Sequence, residues 1–344
     1  KKFKVQRLAA RRRFSIYVHW PFCASICPYC DFNRYVRDSV DHSAYAKALT
    51  KQLRLLAPLV RGQELRSVFF GGGTPSLAQP STFHAVLSEA RRLFPSEVAV
   101  EVTMEANPTS VEVTKLRDFQ RAGMNRVSLG IQSLRPAALL QLGRAHGVGQ
   151  CHAAIEAASN AFDRYSIDLI YGRPGHSPVE WCSELQEALA LGVPHISLYE
   201  LTVEKGTKLH RMVEKKRTTM PQDDDVTAMM DVNLQQTQQR GMHQYEVSNY
   251  CLPGHECLHN INYWEYGNYL PLGPGAHGRI SVGGLTFALA NERNPDKWLQ
   301  AVQSADCGIH RERPSATGGV AQVTALSQSD VGWEMLMAGL RMPS

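Results

Sequence analysis

The sequence predicts an α/β fold, a barrel of strands alternating with helices, on three observations. Six short β-branched or aromatic runs recur along the first two hundred residues, at 15–19, 67–70, 98–104, 126–131, 166–171 and 195–201. Amphipathic stretches with apolar spacings near three and four separate them, at 45–56, 82–94, 113–122, 150–162 and 179–191. Runs such as IDLIY at 167–171 are apolar almost throughout, as in a sheet covered on both faces. Repeated strand–helix units imply a parallel sheet with right-handed crossovers. Periodicity alone leaves a doubly wound sheet open as the rival topology.

After the sixth strand the pattern changes. A charged, helix-breaking stretch spans 205–225 and ends in Asp223, Asp224 and Asp225, acids suited to a helix N-terminus. An aromatic-rich region with a long helix follows from 226 to 303. Past Gly308 the chain turns polar and Gly/Ser-rich before a last helix-like segment. The expected division is a basic arm at 1–14, a core barrel at 15–225, an accessory region at 226–303 and the start of a further domain at 304–344. The first residue is Lys1, and the last helix-like run is still apolar where it stops, so both ends read as cut.

The 344 residues are 43% hydrophobic and 20% charged, the balance of a globular protein. No apolar run approaches the ~20 residues that a membrane-spanning helix needs. The net charge is +5, yet residues 1–14 alone carry seven Lys or Arg and no acid, which leaves the other 330 at −2. Positive charge confined to a tail argues against a nucleic-acid-binding face. The arm suits either an organelle transit segment, placing the protein in mitochondria, or a solvated basic tail on a cytoplasmic one.

Eight cysteines are too sparse for a disulfide framework, but Cys23, Cys27 and Cys30 crowd into eight residues directly after the first strand. Three thiolates suit three corners of a four-iron, four-sulfur (4Fe-4S) cluster and leave one iron free to chelate a small molecule. A three-cysteine zinc site is the alternative that spacing leaves open. The second strand ends in FGGGTP at 70–75. Successive glycines bare the backbone for close approach to a ligand, and parallel barrels place their sites at strand C-termini.

CxxxCxxC after one strand and GGGTP after the next resemble the radical S-adenosylmethionine superfamily. Within it the chain is similar, from about residue 15 to 340, to the group of oxygen-independent coproporphyrinogen III dehydrogenase (HemN) and the haem chaperone HemW with its mitochondrial relative. The resemblance implies a partial, TIM-like barrel of six (β/α) units, an α+β accessory region and a C-terminal helical, winged-helix-like domain. It also implies a 4Fe-4S cluster on Cys23, Cys27 and Cys30, S-adenosylmethionine on the open iron, and an electron donor that drives cleavage to a 5′-deoxyadenosyl radical.

Carried over residue by residue, the family's cofactor contacts fall on Tyr17, Tyr29, Gly73, Thr74, Pro75, Glu105, Gln132, Arg144 and Asp168. These residue types suit such contacts, since carboxylates accept from an ammonium or ribose hydroxyls and Arg clamps a carboxylate. A polar layer that merely closes the barrel is the alternative for Glu105, Gln132 and Asp168. The dehydrogenase has a further Cys at the position of Phe32 and a longer N-terminal arm, so both features side with the haem chaperone. GHECLHNINYW at 254–264 contains HNxxYW, a motif of the haem-binding group. There His259 is the expected haem ligand, with His255 and Cys257 as alternatives and Tyr263 and Trp264 as porphyrin-stacking rings. YLPLGPGAH at 269–277 also matches and adds His277 on the cofactor side, while Arg173 in YGRPG departs from the commoner Leu. The implied activity is haem binding and transfer to an unidentified acceptor protein, with coproporphyrinogen III oxidation in porphyrin biosynthesis as the alternative.

Overall fold

The computed structural model describes residues 13–306, 308–310 and 314–343, so most of the basic arm and Cys307 lie outside the described residues. Six strands form in order: β1 (Arg13–Trp20), β2 (Glu64–Gly72), β3 (Glu101–Ala106), β4 (Arg126–Gln132), β5 (Arg164–Tyr171) and β6 (His195–Glu200). Each is the parallel neighbour of the next. A doubly wound sheet reverses its order at a switch point. This one never reverses, and the barrel reading holds.

Helices α1 (His42–Leu56), α2 (Pro80–Leu93), α3 (Leu116–Ala122), α4 (Val148–Ala161) and α5 (Pro178–Ala190) form the connections. Their ends follow local chemistry. The Asp41 carboxylate accepts from Ala44 N–H at the start of α1, and Ser177 with Glu180 closes a capping box on α5. Gly123 stops α3 at φ +114°, which a side chain would resist.

Alternation along the strands sorts residues between two environments. Phe14, Ile16, Val18, Val68, Phe70, Met104, Val127 and Leu129 are buried in the main apolar core. The alternate positions Ser15, Ser67, Thr103, Ser128 and Ser166 are buried too, but polar. The serines pair, Ser15 Oγ with Ser67 Oγ at 2.7 Å and Ser128 Oγ with Ser166 Oγ at 2.7 Å. The barrel interior thus carries two hydrogen-bonded serine pairs.

The stretch before the long helix is more ordered than its charge suggested. Residues Lys208–Glu214 form a short helix capped by Thr207, and Leu209 N–H donates to Pro28 O at 2.8 Å, tying it to the cysteine loop. Helix α6 (Asp223–Gln239) begins with its three aspartates, as expected. Next come β7 (His243–Glu246), β8 (Asn249–Cys251), α7 (Leu258–Trp264), β9 (Asn268–Leu272), β10 (His277–Val282) and β11 (Leu285–Asn291). Helix α8 (Pro295–Ser304), β12 (Val320–Ala325) and α9 (Gln328–Gly339) complete the chain.

This second region extends both edges of the core sheet. On one side β8 pairs antiparallel with β6 and carries β7. On the other, β9 pairs parallel with β1 and continues through β10 and β11 to β12. Helix α7 connects the two sides. No helix among the described residues is long and apolar enough to cross a membrane.

Candidate functional site

A cavity of about 440 Å³ opens at the C-terminal ends of β1 to β6. Its wall includes Cys23, Cys27, Tyr29, Cys30, Gly73, Thr74, Pro75, Glu105, Gln132, Arg144 and Asp168, every expected cluster and S-adenosylmethionine residue except Tyr17 and His277, and none of the haem candidates of the HNxxYW segment. The two motifs that begin it are joined through the backbone. Gly73 N–H donates to Trp20 O at 2.7 Å and Thr74 N–H to Phe22 O at 2.8 Å. A Cβ on Gly73 would lie 2.8 Å from the carbonyl oxygens of Trp20 and Phe22, so the close approach requires glycine.

The three thiols are free of any disulfide and half-buried. Burial raises the Cys23 and Cys30 thiols. Their neighbours are donors suited to sulfur. Thr74 Oγ1 stands 3.5 Å from Cys23 Sγ, and Arg144 Nη1 stands 3.4 Å from Cys27 Sγ. Arg144 is aimed by the carbonyl of Gly130, at 3.1 Å, and by Asn107 Oδ1. Asn107 also donates to Thr74 Oγ1 at 3.3 Å, linking the third strand's loop to the second's.

Two carboxyls face the cavity from the barrel interior. Glu105 Oε2 accepts from Gly72 N–H at 3.0 Å. Burial, and then the Asp168 charge, pushes Glu105 up to about 8. Burial raises Asp168 as well, against hydrogen bonds from Ser197 and from Ser128 Oγ at 3.0 Å. A buried carboxyl with no cationic partner costs free energy unless a ligand compensates it. Gln132 takes φ +68°, a left-handed conformation rare for a residue with a side chain, at the end of β4.

The donor set therefore fits the groups that the motifs imply. Three thiols converge on one loop, a bare glycine turn lies beside them, and the desolvated Glu105 carboxyl suits a cation or a hydroxyl. Tyr17 lies beneath the wall, with its hydroxyl 3.0 Å from His19 Nδ1 and its ring stacked on Phe69. His277 is exposed and outside the cavity wall. Asn107 and Tyr199 line the cavity and were missed by motif reading. Asn107 sits in EANP, two residues after Glu105, and Tyr199 lies at the end of β6. Position at a strand end was the available signal.

A family profile described as the Radical SAM superfamily matches residues 17–188. The chain belongs to the radical SAM superfamily, in its HemN/HemW group. It is 39% identical over 333 residues to radical S-adenosyl methionine domain-containing protein 1, mitochondrial, of Danio rerio, covering 95% of this chain and 72% of that one. Heme chaperone HemW of Escherichia coli is 37% identical over 289 residues, covering 83% and 75%. The solved structure of coproporphyrinogen III oxidase (HemN) from Escherichia coli superposes with a TM-score of 0.77 at 21% identity, covering 97% of this chain and 76% of that one. That likeness establishes a radical SAM fold. Membership in the radical SAM superfamily implies a 4Fe-4S cluster and S-adenosylmethionine.

The HNxxYW segment of this radical SAM chain lies at the opposite mouth of the barrel. Helix α7 sits across the N-terminal ends of the strands. His259 N–H donates to Glu101 Oε1 at 3.2 Å, and its Nδ1 is 3.0 Å from Ser67 Oγ. Its ring stacks on Phe69 with centroids 4.9 Å apart. His259 is 2% exposed, and burial lowers its pKa to about 3, so the imidazole is neutral. Glu101, the first residue of β3, also takes a salt bridge from Arg164 at 3.0 Å. Tyr263 packs against His259 and Tyr269, and the Arg341 guanidinium lies 4.4 Å from the Trp264 ring centroid. Cys257 is buried, with its Sγ 3.5 Å from Glu101 Oε1. The structure thus places His259, Tyr263 and Cys257 in the barrel floor and apart from the cluster residues.

Proposed function

We propose that this chain binds haem and passes it to an acceptor protein, on a scaffold that also holds a 4Fe-4S cluster and S-adenosylmethionine. The observation that carries the reading is Phe32. Where the dehydrogenase has a further cysteine, this chain puts an aromatic ring, 56% exposed at the cavity mouth. The bacterial relatives named heme chaperone support the same choice.

In this reading Cys23, Cys27 and Cys30 hold the cluster, which when bound supplies one-electron chemistry. Gly73, Thr74 and Pro75 give S-adenosylmethionine a backbone surface, with Tyr29, Gln132 and Tyr17 around and beneath it. Glu105 and Asp168 accept from its ammonium or hydroxyls. Arg144, steadied by Asn107, offers a donor to sulfur or carboxylate. An electron-donor protein serves the cluster. The basic arm and the mitochondrial names of several relatives favour a mitochondrial location.

His259 is the haem ligand in this proposal, and its enclosure sets a condition. Ligation requires α7 to leave Ser67 and Glu101. Anaerobic titration of the reconstituted protein with haem should give one haem per chain, a Soret band weakened in His259→Ala, and faster amide exchange in α7 on haem addition. Undiminished binding by that variant moves the ligand elsewhere, His255 and Cys257 being next to test. No haem binding at all, with protoporphyrinogen formed from coproporphyrinogen III in the presence of reductant and S-adenosylmethionine, would replace the chaperone reading with the dehydrogenase.

A further inference from the structure

Away from the cavity, three side chains able to ligate a metal meet at the outer edge of the sheet. His243 opens β7, Cys251 closes β8, and the antiparallel register sets them directly opposite each other. The chain then turns back and brings Glu256 Oε1 to 3.1 Å from His243 Nε2. One ligand atom from each of the three lies within 4.8 Å of the other two.

The loop that carries Glu256 is held in place before any metal arrives. Leu252 N–H donates to Pro194 O at 2.9 Å and His255 N–H to Leu252 O at 3.1 Å. The Arg164 guanidinium donates to the Glu256 carbonyl, and Gly254 N–H donates to the Glu256 carboxylate at 3.3 Å. Cys251 is wholly buried, while the His243 and Glu256 side chains remain 45% and 26% exposed. The cluster is therefore closed on its thiol side and open toward solvent on the other. A plain His–Glu ion pair accounts for two of these groups, while the thiol belongs to a small apolar cluster with Tyr245 and Cys257 and brings its sulfur to the same point.

We propose that His243, Cys251 and Glu256 form a site for a borderline-soft divalent cation of the zinc class. Sulfur and nitrogen donors with one carboxylate are the set that zinc takes, whereas calcium and magnesium take oxygen. On binding, the Cys251 thiol releases its proton to solvent and its sulfur bonds the metal. His243 contributes Nε2 of the neutral ring, and a water fills the fourth, outward position. Burial, and then the Glu256 charge, pushes the Cys251 thiol up to about 12 against Arg126 and Arg164, so the metal itself must displace the proton. Such a metal would fasten the β7–β8 hairpin to the loop that leads into α7, and its binding free energy would add to the stability of that edge.

The test is equilibrium dialysis of the cluster-loaded full chain against zinc, with zinc and iron counted in the same samples. Loading the cluster occupies Cys23, Cys27 and Cys30, so zinc retained there appears as a loss of iron. The expected result is one zinc per chain at full iron content and a higher melting temperature with zinc. His243→Ala and Cys251→Ala should each weaken binding roughly tenfold or more and abolish the thermal shift. His243 is half-exposed, so its variant folds and decides the matter even if Cys251→Ala does not. No retained zinc, or retention that His243→Ala leaves unchanged, overturns the proposal.

Discussion

Replacing Gly73 with alanine should pull the glycine turn away from the cysteine loop. The new methyl would meet Trp20 O, Pro21 C and Phe22 O at 2.8 Å, well inside the ~3.5 Å of favourable contact. All three atoms are backbone, so no side chain can rotate aside. The turn must withdraw, which stretches the 2.7 Å bond from Gly73 N–H and the 2.8 Å bond from Thr74 N–H. Two hydrogen bonds at about 1 kcal/mol each and overpacking at about 1–3 kcal/mol sum to roughly 3–5 kcal/mol. At about 1.4 kcal/mol per tenfold, cluster assembly should weaken by roughly a hundredfold or more. Anaerobic reconstitution at limiting iron and sulfide, with iron counted per chain, reads this directly. Gly149→Ala is the control, since its added methyl in α4 meets nothing within 4 Å. A Gly73→Ala protein with full iron and unchanged melting would refute the coupling of the two loops.

The buried charges and the barrel floor give three further expected outcomes. Arg173 donates to Glu184 at 2.5 Å and to Ser133 Oγ at 2.8 Å, and both charged side chains are almost fully buried. Arg173→Leu should strand Glu184 and cost about 3–5 kcal/mol in denaturant unfolding, while Arg173→Leu with Glu184→Leu should recover most of it. Glu105 titrates near 8 in the fold against about 4.3 unfolded, so the folded state binds more protons and stability falls as pH rises from about 4 to 8. Glu105→Gln should narrow the melting difference between pH 5 and pH 8 by about 5 °C; an unchanged difference would show that Glu105 is not neutral in the ligand-free protein. His259→Ala empties a packed site against Phe69 and removes the bond to Ser67, with an expected loss of about 2–4 kcal/mol. Calorimetry should show it as a lower melting temperature with S-adenosylmethionine affinity retained.

Much of the cavity was legible because parallel barrels present chemistry at strand ends. Cys23, Gly73, Glu105, Gln132 and Asp168 each sit within, at or just beyond a strand that periodicity had already marked. The relation between distant segments was not legible. Nothing in HNINYW says which mouth of the barrel it closes, because a short helix with aromatic spacing packs equally well at either end. Arg173 reads as a small departure in a turn until Glu184, eleven residues away on α5, supplies its partner. Asn107 has no motif of its own, and only the fold brings Arg144 and Thr74 to its two ends.

The pairing of β1 with β9 bears on how the chain is made. Residues 14–18 find their second neighbour only at residues 268–272. On a ribosome adding roughly 5–20 residues per second, about ten to fifty seconds separate the two segments. Through that interval the first strand keeps one unpaired margin of backbone groups, a template for unwanted strand addition. A nascent chain arrested before residue 268 should therefore be captured by holdases and aggregate readily, and the full chain, with β9 to β12 in place, should not.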